Sequence, residues 1–214
     1  MFICNMILIV SGGDPPGDEI LKASAQNSEM IIAADKGAQY CLDAGIIPDI
    51  ITGDMDSVPK ETLDILSEKG AKIISYSSDK DETDTGLALD VAIERGAEQV
   101  EILSGIGDRF DHSIANVHLL YKALIHGINA YILTSRHKIF LVDSKYCIEE
   151  MKGSTISFLP LTERAGGICL DGFAYNIKDA VMEMGFPYGV SNVITSDKAT
   201  VRVSEGVIIG IISR

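Results

Sequence analysis

The stretch IITGDMDSV, residues 50–58, ends an apolar run with two aspartates that stand two residues apart. Ile50 and Ile51 are typical of a buried strand, whereas Asp54 and Asp56 follow with no basic residue beside them. If the chain stays extended here, side chains two residues apart point the same way. The two carboxylates then repel each other unless one is protonated or a cation lies between them. Mg²⁺ prefers such oxygen ligands, so the pair indicates a cation site at the end of a strand.

The pattern on either side of this stretch predicts two kinds of domain. Short apolar runs alternate with helical patterns up to about residue 134, which predicts an α/β domain with a mostly parallel sheet covered on both faces. From about residue 138 the runs become short and β-rich, with turn residues between them, which predicts an antiparallel all-β sandwich or barrel. The sequence therefore predicts an α/β domain over residues 1–135 and a β domain over residues 136–214.

Acidic side chains follow every predicted strand that leads into a helix. They are Asp14, Asp35, Asp54, Asp56, Asp79, Asp81, Glu82, Asp84, Asp108 and Asp111. The carboxyl ends of parallel strands lie on one edge of a sheet, and open α/β sheets bind ligands there. A single aspartate at such a place is often only a helix cap or a favourable charge at a helix N-terminus, and Asp84 behind Thr83 fits that description. Acids after five strands in a row instead predict one shared crevice.

Basic residues share these loops with the acids. Lys36, Lys80 and Arg109 could each be a solvated charge or a local ion pair. Magnesium carboxylates mixed with Lys and Arg are also what phosphoryl transfer requires, because the negative charge spreads over the phosphate oxygens. Glycines in the loops at 11–13 and 104–109 would let backbone approach phosphates closely. Neither loop matches GxxxxGK[ST] or GxGxxG, which disfavours a P-loop nucleotide hydrolase and a Rossmann dehydrogenase.

Composition disfavours several other classes of protein. The net charge is −13, from 18 Lys and Arg against 31 Asp and Glu, so no nucleic-acid partner is expected. The four cysteines are far apart and form no CxxC pair, so neither a zinc site nor a disulfide framework is expected, and a reducing, cytoplasmic compartment is favoured. The N-terminal run MFICNMILIV is interpreted as a first strand rather than a signal peptide. No apolar stretch reaches membrane-spanning length, so no membrane association is expected.

Four motifs stand in order along the chain: ADKGA (34–38), PDIITGDMDS (48–57), DKDETD (79–84) and GDRFDHSIAN (107–116), and GFAYNIKDAVMEMGFPYGVSN (172–192) follows them. In this order they resemble the thiamine pyrophosphokinase (thiamine diphosphokinase) family. The resemblance implies an N-terminal α/β nucleotide domain, a C-terminal β-sandwich and a kinase of thiamine diphosphate biosynthesis. Such a transferase moves the pyrophosphoryl group of ATP to the hydroxyl of thiamine with Mg²⁺ as cofactor, and it releases AMP. The resemblance also implies a homodimer with the active site at the subunit interface.

The same resemblance implies roles for residues of the α/β domain. Asp54, Asp56 and Asp84 match magnesium ligands, and they form the catalytic set together with Arg109 and Asp111. Asp111 would orient either Arg109 or the acceptor hydroxyl. The ATP-binding set is Asp35, Lys36, Lys80, Arg109 and Asn116. In that set Asp35 completes the acidic cluster, and Asn116, one helical turn past His112, buttresses its loop.

For the β domain the resemblance implies a thiamine site. Ser191 and Asn192 match a serine–asparagine pair that contacts thiamine, and Tyr175 takes the place of an aromatic residue near its rings. An aromatic face and an acidic cleft would favour the permanent positive charge of thiamine. The chain departs from the family by having Ala174 where a lysine is common and Val193 where many bacterial members have glutamate.

These departures leave alternatives open. Tyr175 could be an ordinary core residue. The acceptor could be a pterin alcohol instead of thiamine, with the same diphosphokinase chemistry. The chain could also be a non-catalytic sensor of a nucleotide or of thiamine, although a pure binding module has little need for three metal carboxylates around a phosphate.

Overall fold

The fold is described from a computed structural model, which covers residues 5–77 and 82–213. The chain divides into two compact units, Met1–Ser135 and Arg136–Arg214, which are called the first and the second unit below. None of the helices within the described residues is both long and apolar enough to cross a membrane.

The first unit alternates strands and helices, as the apolar pattern predicts. Its strands are β1 (Met6–Val10), β2 (Met30–Ala34), β3 (Ile50–Gly53), β4 (Lys72–Ser75), β5 (Gln99–Leu103) and β6 (Asn129–Leu133). Its helices are α1 (Asp18–Gln26), α2 (Gly37–Asp43), α3 (Lys60–Glu68), α4 (Asp84–Glu94) and α5 (Phe110–Ile125). Helix α5 begins at Phe110, so Asp111 and His112 lie in its first turn.

The six strands of the first unit form a parallel sheet in the order β6-β5-β1-β2-β3-β4. From β1 the chain moves outward through β2, β3 and β4, and it then crosses back to β5 on the other side of β1. The sheet therefore has a topological switch point between β1 and β5, and the crevice at the carboxyl ends of such strands is where open α/β sheets bind ligands.

The inner strands β1, β2, β3 and β5 carry mostly buried side chains, whereas the edge strand β4 is largely exposed. One face packs against the first three helices through a continuous cluster of buried residues. The cluster includes Leu8, Val10, Ala33, Ile51 and Leu103 from the strands and Leu21, Cys41 and Leu66 from α1, α2 and α3. Helix α4 contacts β1, β2 and β3, and it also contacts α5. Seven of the eleven residues of α4 are buried, including Thr85 and Gly86 in its first turn, which fixes its N-terminus against the carboxyl edge of the sheet.

One carboxylate interrupts this apolar packing. Glu101, in the middle of β5, is only 4% exposed. It accepts a hydrogen bond of 2.6 Å from the Tyr131 hydroxyl on β6 and another from the Ser24 hydroxyl on α1. Buried polar groups are tolerated when they are hydrogen-bonded, and these two hydroxyls serve that need here.

The second unit consists of β-strands only, within the described residues. They are β7 (His137–Val142), β8 (Lys145–Glu149), β9 (Thr155–Pro160), β10 (Arg164–Asp171), β11 (Ile177–Glu183), β12 (Asn192–Val193), β13 (Lys198–Arg202) and β14 (Ile208–Ser213). They form two antiparallel arrays, β12-β9-β14-β7 and β11-β10-β13-β8.

Aromatic contacts join the two arrays of the second unit. Phe140 on β7 stacks on Tyr146 on β8 with ring centroids 4.1 Å apart. Phe158 on β9 meets Phe173 edge to face at 5.8 Å. Facing arrays that share an aromatic core form a sandwich. The prediction of a mostly parallel α/β unit followed by an antiparallel β unit is confirmed.

We expect the substitution Tyr131→Phe to lower the free energy of unfolding by about 1.5–3 kcal/mol, because it removes one of the two hydroxyls that stabilise a buried carboxylate. The matched control is Tyr121→Phe, since Tyr121 is 41% exposed on α5, and its effect should stay within about 0.5 kcal/mol. Urea unfolding of both variants measures the difference. Equal stabilities for the two variants would contradict the assigned role of the Glu101 cluster.

Candidate active site

A cleft of about 620 Å³ lies at the carboxyl ends of the parallel strands in the first unit. Its lining comes from the loops that follow β1, β2, β3 and β5 and from the start of α4. The predicted convergence of acids from separate loops is present here. Asp14, Asp35, Asp54, Asp56, Asp84 and Asp108 all line the cleft.

Three of these aspartates form a compact cluster, which we call the acidic triad. One carboxylate oxygen each from Asp35, Asp54 and Asp56 lie within 4.8 Å of one another. Carboxylates this close repel unless a proton or a cation intervenes. Mg²⁺ is held by such oxygen donors and keeps positions for waters and phosphates, so the donor set fits that cation.

A turn, and not an extended strand, brings Asp54 and Asp56 together. Strand β3 ends at Gly53, and Met55 has a left-handed φ of 66°. The extended conformation considered from the sequence is therefore not adopted through this stretch. The Asp56 amide donates to Asp54 Oδ1 at 3.2 Å, and the Ser57 hydroxyl donates to Asp56 Oδ1 at 2.8 Å. These bonds hold the two carboxylates on one side of the turn.

Gly53 is required where the acids meet. Its φ of 140° lies in the region that favours glycine. A Cβ at this position would lie 3.2 Å from Asp35 Cβ and 3.2 Å from Asp84 Oδ1. The end of β3 therefore fits between these two acids only because it carries no side chain, and Asp84 lies at the border of the triad.

Asp35 has the most unusual electrostatic surroundings in the triad. Its Oδ1 is buried and has no hydrogen-bond partner among the described residues. Burial raises the pKa of Asp35, the nearby Ser57 hydroxyl opposes this, and the charges of Asp84 and Asp56 raise the pKa further. A buried carboxylate oxygen without a partner costs free energy. A bound cation would satisfy it, so the residues of the triad fit a divalent metal.

The glycine-rich loops after β1 and β5 pack directly against each other. The amides of Gly13 and Asp14 donate to the carbonyls of Ser104 and Ile106, both at 2.8 Å. A Cβ on Gly13 would lie 2.4 Å from each of these carbonyl oxygens. Gly13 thus permits the contact between the two loops. The Gly13 amide donates to the loop after β5 and therefore does not donate to a phosphate, which is the simplest use expected of a glycine-rich loop.

The basic residues of the cleft differ in how firmly they are held. Arg109 forms a two-pronged interaction with Asp111, with Nε–Oδ1 and Nη2–Oδ2 distances of 3.0 and 2.6 Å. This contact holds the pKa of Asp111 below its usual range. Lys36 lies over the ring of Tyr40, 5.5 Å from its centroid. Lys80, the third predicted cation, lies outside the described residues, as do Asp79 and Asp81.

Asn116 lies behind the cleft and does not line it. Its side chain is 5% exposed, and its Nδ2 donates to the Gly105 carbonyl at 2.7 Å. The Ser113 hydroxyl makes a second set of contacts, with the backbone of Gly107 and Arg109. Both side chains brace the loop after β5, and the supporting role expected for Asn116 agrees with this geometry.

Several residues of the cleft were not singled out from the sequence. Tyr40 donates to the Gly13 carbonyl at 2.7 Å, and the Ser11 and Thr85 hydroxyls lie 2.6 Å apart beneath the cleft. Thr83 caps α4 by accepting from the Gly86 amide at 3.1 Å, as the sequence predicts. In the sequence, the place of Thr85 next to Asp84 is the signal that could have drawn attention to it. The contact of Thr85 with Ser11 arises only from the fold.

The second unit contains a smaller, mostly apolar pocket of about 220 Å³. Tyr175, Tyr188, Val190 and Asn192 line it. Tyr175 is 72% exposed, so the alternative that it belongs to the core is wrong. Asn192 is 7% exposed, and it fixes the Tyr175 backbone by accepting from its amide at 3.0 Å and donating to its carbonyl at 2.8 Å.

Two departures from the family pattern lie beside this pocket. The Ala174 amide donates to the Val193 carbonyl at 2.8 Å, so these residues pair through their backbones. Ser191 has a left-handed φ of 63°, and its amide donates to the Ser157 hydroxyl at 3.1 Å. The segment that carries Ser191 and Asn192 is therefore held by specific hydrogen bonds on both sides.

Comparison with protein families gives two matches along the chain. The model described as "Thiamin pyrophosphokinase, catalytic domain" matches residues 21–132. The model described as "Thiamin pyrophosphokinase, vitamin B1 binding domain" matches residues 143–208. Together the two models cover well over half of the chain.

Curated proteins and solved structures agree with these matches. Thiamine pyrophosphokinase of Bacillus subtilis is 31% identical over 205 residues, which are 95% of this chain and 96% of that protein. Its crystal structure has a TM-score of 0.87 at 29% identity and covers 97% of this chain and 98% of that one. Thiamin pyrophosphokinase of Geobacillus thermodenitrificans has a TM-score of 0.85 at 27% identity, with coverages of 98% and 97%. Thiamine pyrophosphokinase 1 of Oryza sativa is 28% identical, and the match spans 62% of its length.

We expect Asp35→Asn to raise the free energy of unfolding when divalent cations are removed with a chelator. Because the pKa of Asp35 is raised in the folded state, the penalty is absent in acid, where the carboxyl is protonated in both states. It grows as the pH rises above the ordinary pKa of an aspartate, and it is complete once the pH exceeds the raised folded-state pKa. The gain from Asp35→Asn should follow the same pH dependence in chemical unfolding.

Added Mg²⁺ should reverse this order. Wild-type protein gains about 2.7 kcal/mol when the cation is at a hundred times its dissociation constant, and Asp35→Asn should lose most of that gain. The control is Asp64→Asn on the exposed face of α3, which should respond to Mg²⁺ like the wild type. An equal Mg²⁺ response in wild type and Asp35→Asn would contradict the role of Asp35 in the triad.

Proposed function

The chain belongs to the thiamin pyrophosphokinase family of enzymes, and on that premise we propose that it transfers the pyrophosphoryl group of ATP to the hydroxyl of thiamine, with release of AMP. The observation that carries the proposal is the acidic triad at the carboxyl edge of the parallel sheet, in which the buried Oδ1 of Asp35 has no partner among the described residues. A site that needs a divalent cation, at the sheet edge where nucleotides bind, suits a reaction of MgATP.

Asp54, Asp56 and Asp84 would hold Mg²⁺, and Asp35 would complete the cluster. When bound, the cation supplies positive charge that neutralises the polyphosphate and orients it. The support for Asp84 is its place beside Gly53 and its contribution to the raised pKa of Asp35. Hydrogen bonds in the turn after β3 hold Asp54 and Asp56 in position before substrate arrives, so little reorganisation is needed on binding.

Arg109 would bind the phosphate oxygens, and Lys36 and Lys80 would share that charge. The two-pronged contact with Asp111 restricts the guanidinium to one orientation, which supports the orienting role of Asp111 over a direct role at the acceptor hydroxyl. Asn116 would act on ATP only through the loop after β5. No covalent intermediate is required, because holding the acceptor hydroxyl in line with the β-phosphorus supplies most of the catalysis.

The pocket of the second unit would bind thiamine. Tyr175 offers an exposed aromatic face for the cationic thiazolium ring, and Asn192 fixes the backbone that carries it. Ser191 would add a hydroxyl next to this pair. We assign the recognition of thiamine to Tyr175, Ser191 and Asn192 as a group.

We also propose a homodimer with the active site at the subunit interface. Large apolar side chains remain exposed on the second unit, which supports an interface there. They are Tyr175, Val181, Met184, Phe186, Tyr188 and Val190. A cytoplasmic location remains a prediction, supported by the three described cysteines, Cys41, Cys147 and Cys169, all of which are free.

A pterin alcohol is the second candidate for the acceptor, because the chain has Ala174 where the family commonly has a lysine and Val193 where many bacterial members have a glutamate. The two candidates differ only in the acceptor, so AMP release with each alcohol separates them.

Tight binding of ATP or thiamine without AMP release would instead support the sensor hypothesis and contradict the proposed activity.

Asp54→Asn and Asp56→Asn should each lower kcat by at least about a hundredfold, because each removes a carboxylate that would hold the Mg²⁺ ion against the reacting phosphates. The measurement is coupled AMP release from ATP, Mg²⁺ and thiamine, with circular dichroism to confirm folding. Asp64→Asn is the matched control and should keep wild-type activity. Retained turnover in both variants would refute the assigned magnesium ligands.

Tyr175→Ala should raise the KM for thiamine about two- to fivefold while it leaves the KM for MgATP unchanged, since a cation–π contact at an exposed ring is worth about 0.5–1 kcal/mol. Tyr121→Ala, on α5, is the control and should change neither constant. The same assay, run at varied thiamine and varied MgATP, measures both constants. A change confined to MgATP, or no change, would remove Tyr175 from the acceptor site.

A further inference from the structure

Lys122 on α5 does not line the cleft, yet it binds two residues that flank Asp84 along the chain. Lys122 Nζ lies 3.0 Å from Glu82 Oε1 and 2.7 Å from Asp90 Oδ1. Glu82 stands two residues before Asp84, and Asp90 lies within α4. Helix α4 is thereby fastened to α5 on both sides of Asp84.

These ion pairs are more shielded than an ordinary surface contact. The side chains of Lys122, Glu82 and Asp90 are 26%, 46% and 37% exposed, whereas those of Arg109 and Asp111 in their pair are 71% and 63% exposed. Burial lowers the pKa of Lys122, but hydrogen bonds to Asp90 and Glu82 outweigh this and hold the pKa above its ordinary value. Lys122 is therefore charged at neutral pH, and salt screens partly buried pairs less than exposed ones.

The local geometry links these contacts to the cleft. Thr83 lies between Glu82 and Asp84, and its hydroxyl accepts from the Gly86 amide at 3.1 Å. A displacement of Glu82 would therefore disturb the cap of α4 and the first residue of the helix, Asp84. Glu82 also packs near Gly86, where an added Cβ would lie 3.7 Å from Glu82 Oε2. The first turn of α4 thus has little freedom while Lys122 holds Glu82.

We propose that Lys122 is a positioning residue for Asp84, which it holds at the border of the acidic triad by fixing Glu82 and Asp90. The inference rests on the proposed function, in which Asp84 is a metal ligand. Residues that do not bind a metal themselves but orient its ligands typically change metal affinity or activity by about 10–100-fold when they are removed. A lysine that only joins α4 to α5 would instead affect stability without a selective effect on the metal.

The test measures metal binding directly. Electron paramagnetic resonance of Mn²⁺, titrated in the presence of a non-hydrolysable ATP analogue, gives the dissociation constant of the metal for each folded variant. Lys122→Met keeps the aliphatic stem and removes the charge, and it should weaken Mn²⁺ binding about tenfold. Glu82→Gln should produce the same loss by removing the charge of Glu82, which Lys122 binds. Lys122→Arg keeps the positive charge and should retain most of the wild-type affinity.

Two further readouts separate positioning from simple support of the fold. In steady-state assays, Lys122→Met should raise the KM for MgATP and leave the KM for thiamine unchanged. Lys22→Met, which removes an exposed ion pair of α1 with Asp18, is the matched control and should change neither KM nor Mn²⁺ affinity. Wild-type Mn²⁺ affinity in Lys122→Met, or equal rises in both KM values, would overturn the inference.

Asp84→Asn separates this inference from the function on which it rests. If Asp84→Asn loses Mn²⁺ affinity while Lys122→Met and Glu82→Gln keep it, the positioning role fails and the proposed function stands. If Asp84→Asn binds Mn²⁺ like the wild type, the assignment of Asp84 as a metal ligand fails, and the positioning role fails with it.

Discussion

Repulsion among the carboxylates of Asp35, Asp54 and Asp56 is the constraint on which the site depends. Their oxygens lie within 4.8 Å of one another, and one oxygen of Asp35 is buried without a partner among the described residues. Such an arrangement is unfavourable in isolation, because burial and like charge both disfavour the ionised forms. It persists because the parallel sheet, with its buried strands, fixes where each carboxylate lies. The free energy of the packed core thus maintains a site that a cation would complete.

The loops around the triad are arranged to preserve this geometry. Gly53 lets the end of β3 pass between Asp35 and Asp84, and Gly13 lets the loops after β1 and β5 lie against each other. Helix α5 braces the second of these loops through Asn116, and it reaches α4 through Lys122. Few of these groups face the cleft. Their common effect is to remove freedom from the residues that do, which is the condition for electrostatic preorganisation.

The sequence predicted the order of elements and the convergence of the acids, because apolar periodicity and the rule for parallel sheet edges depend on local patterns. It did not predict the turn at Met55, since a left-handed residue between two aspartates leaves no mark in the pattern. It also could not predict that the Gly13 amide binds the loop after β5, because that contact joins residues about ninety positions apart. For the same reason the sequence could not decide whether Tyr175 lies in the core or on the surface. Its burial in the folded chain decides this, and Tyr175 is exposed.

The central claim is that the acidic triad holds a divalent cation beside the polyphosphate of ATP. The most direct measurement is anomalous X-ray diffraction from crystals grown with Mn²⁺ and a non-hydrolysable ATP analogue. The account predicts an anomalous peak within bonding distance of carboxylate oxygens of the triad, with phosphate oxygens of the analogue completing the coordination. A fully occupied analogue with no peak at Asp35, Asp54 and Asp56, or with the metal held elsewhere, would contradict it.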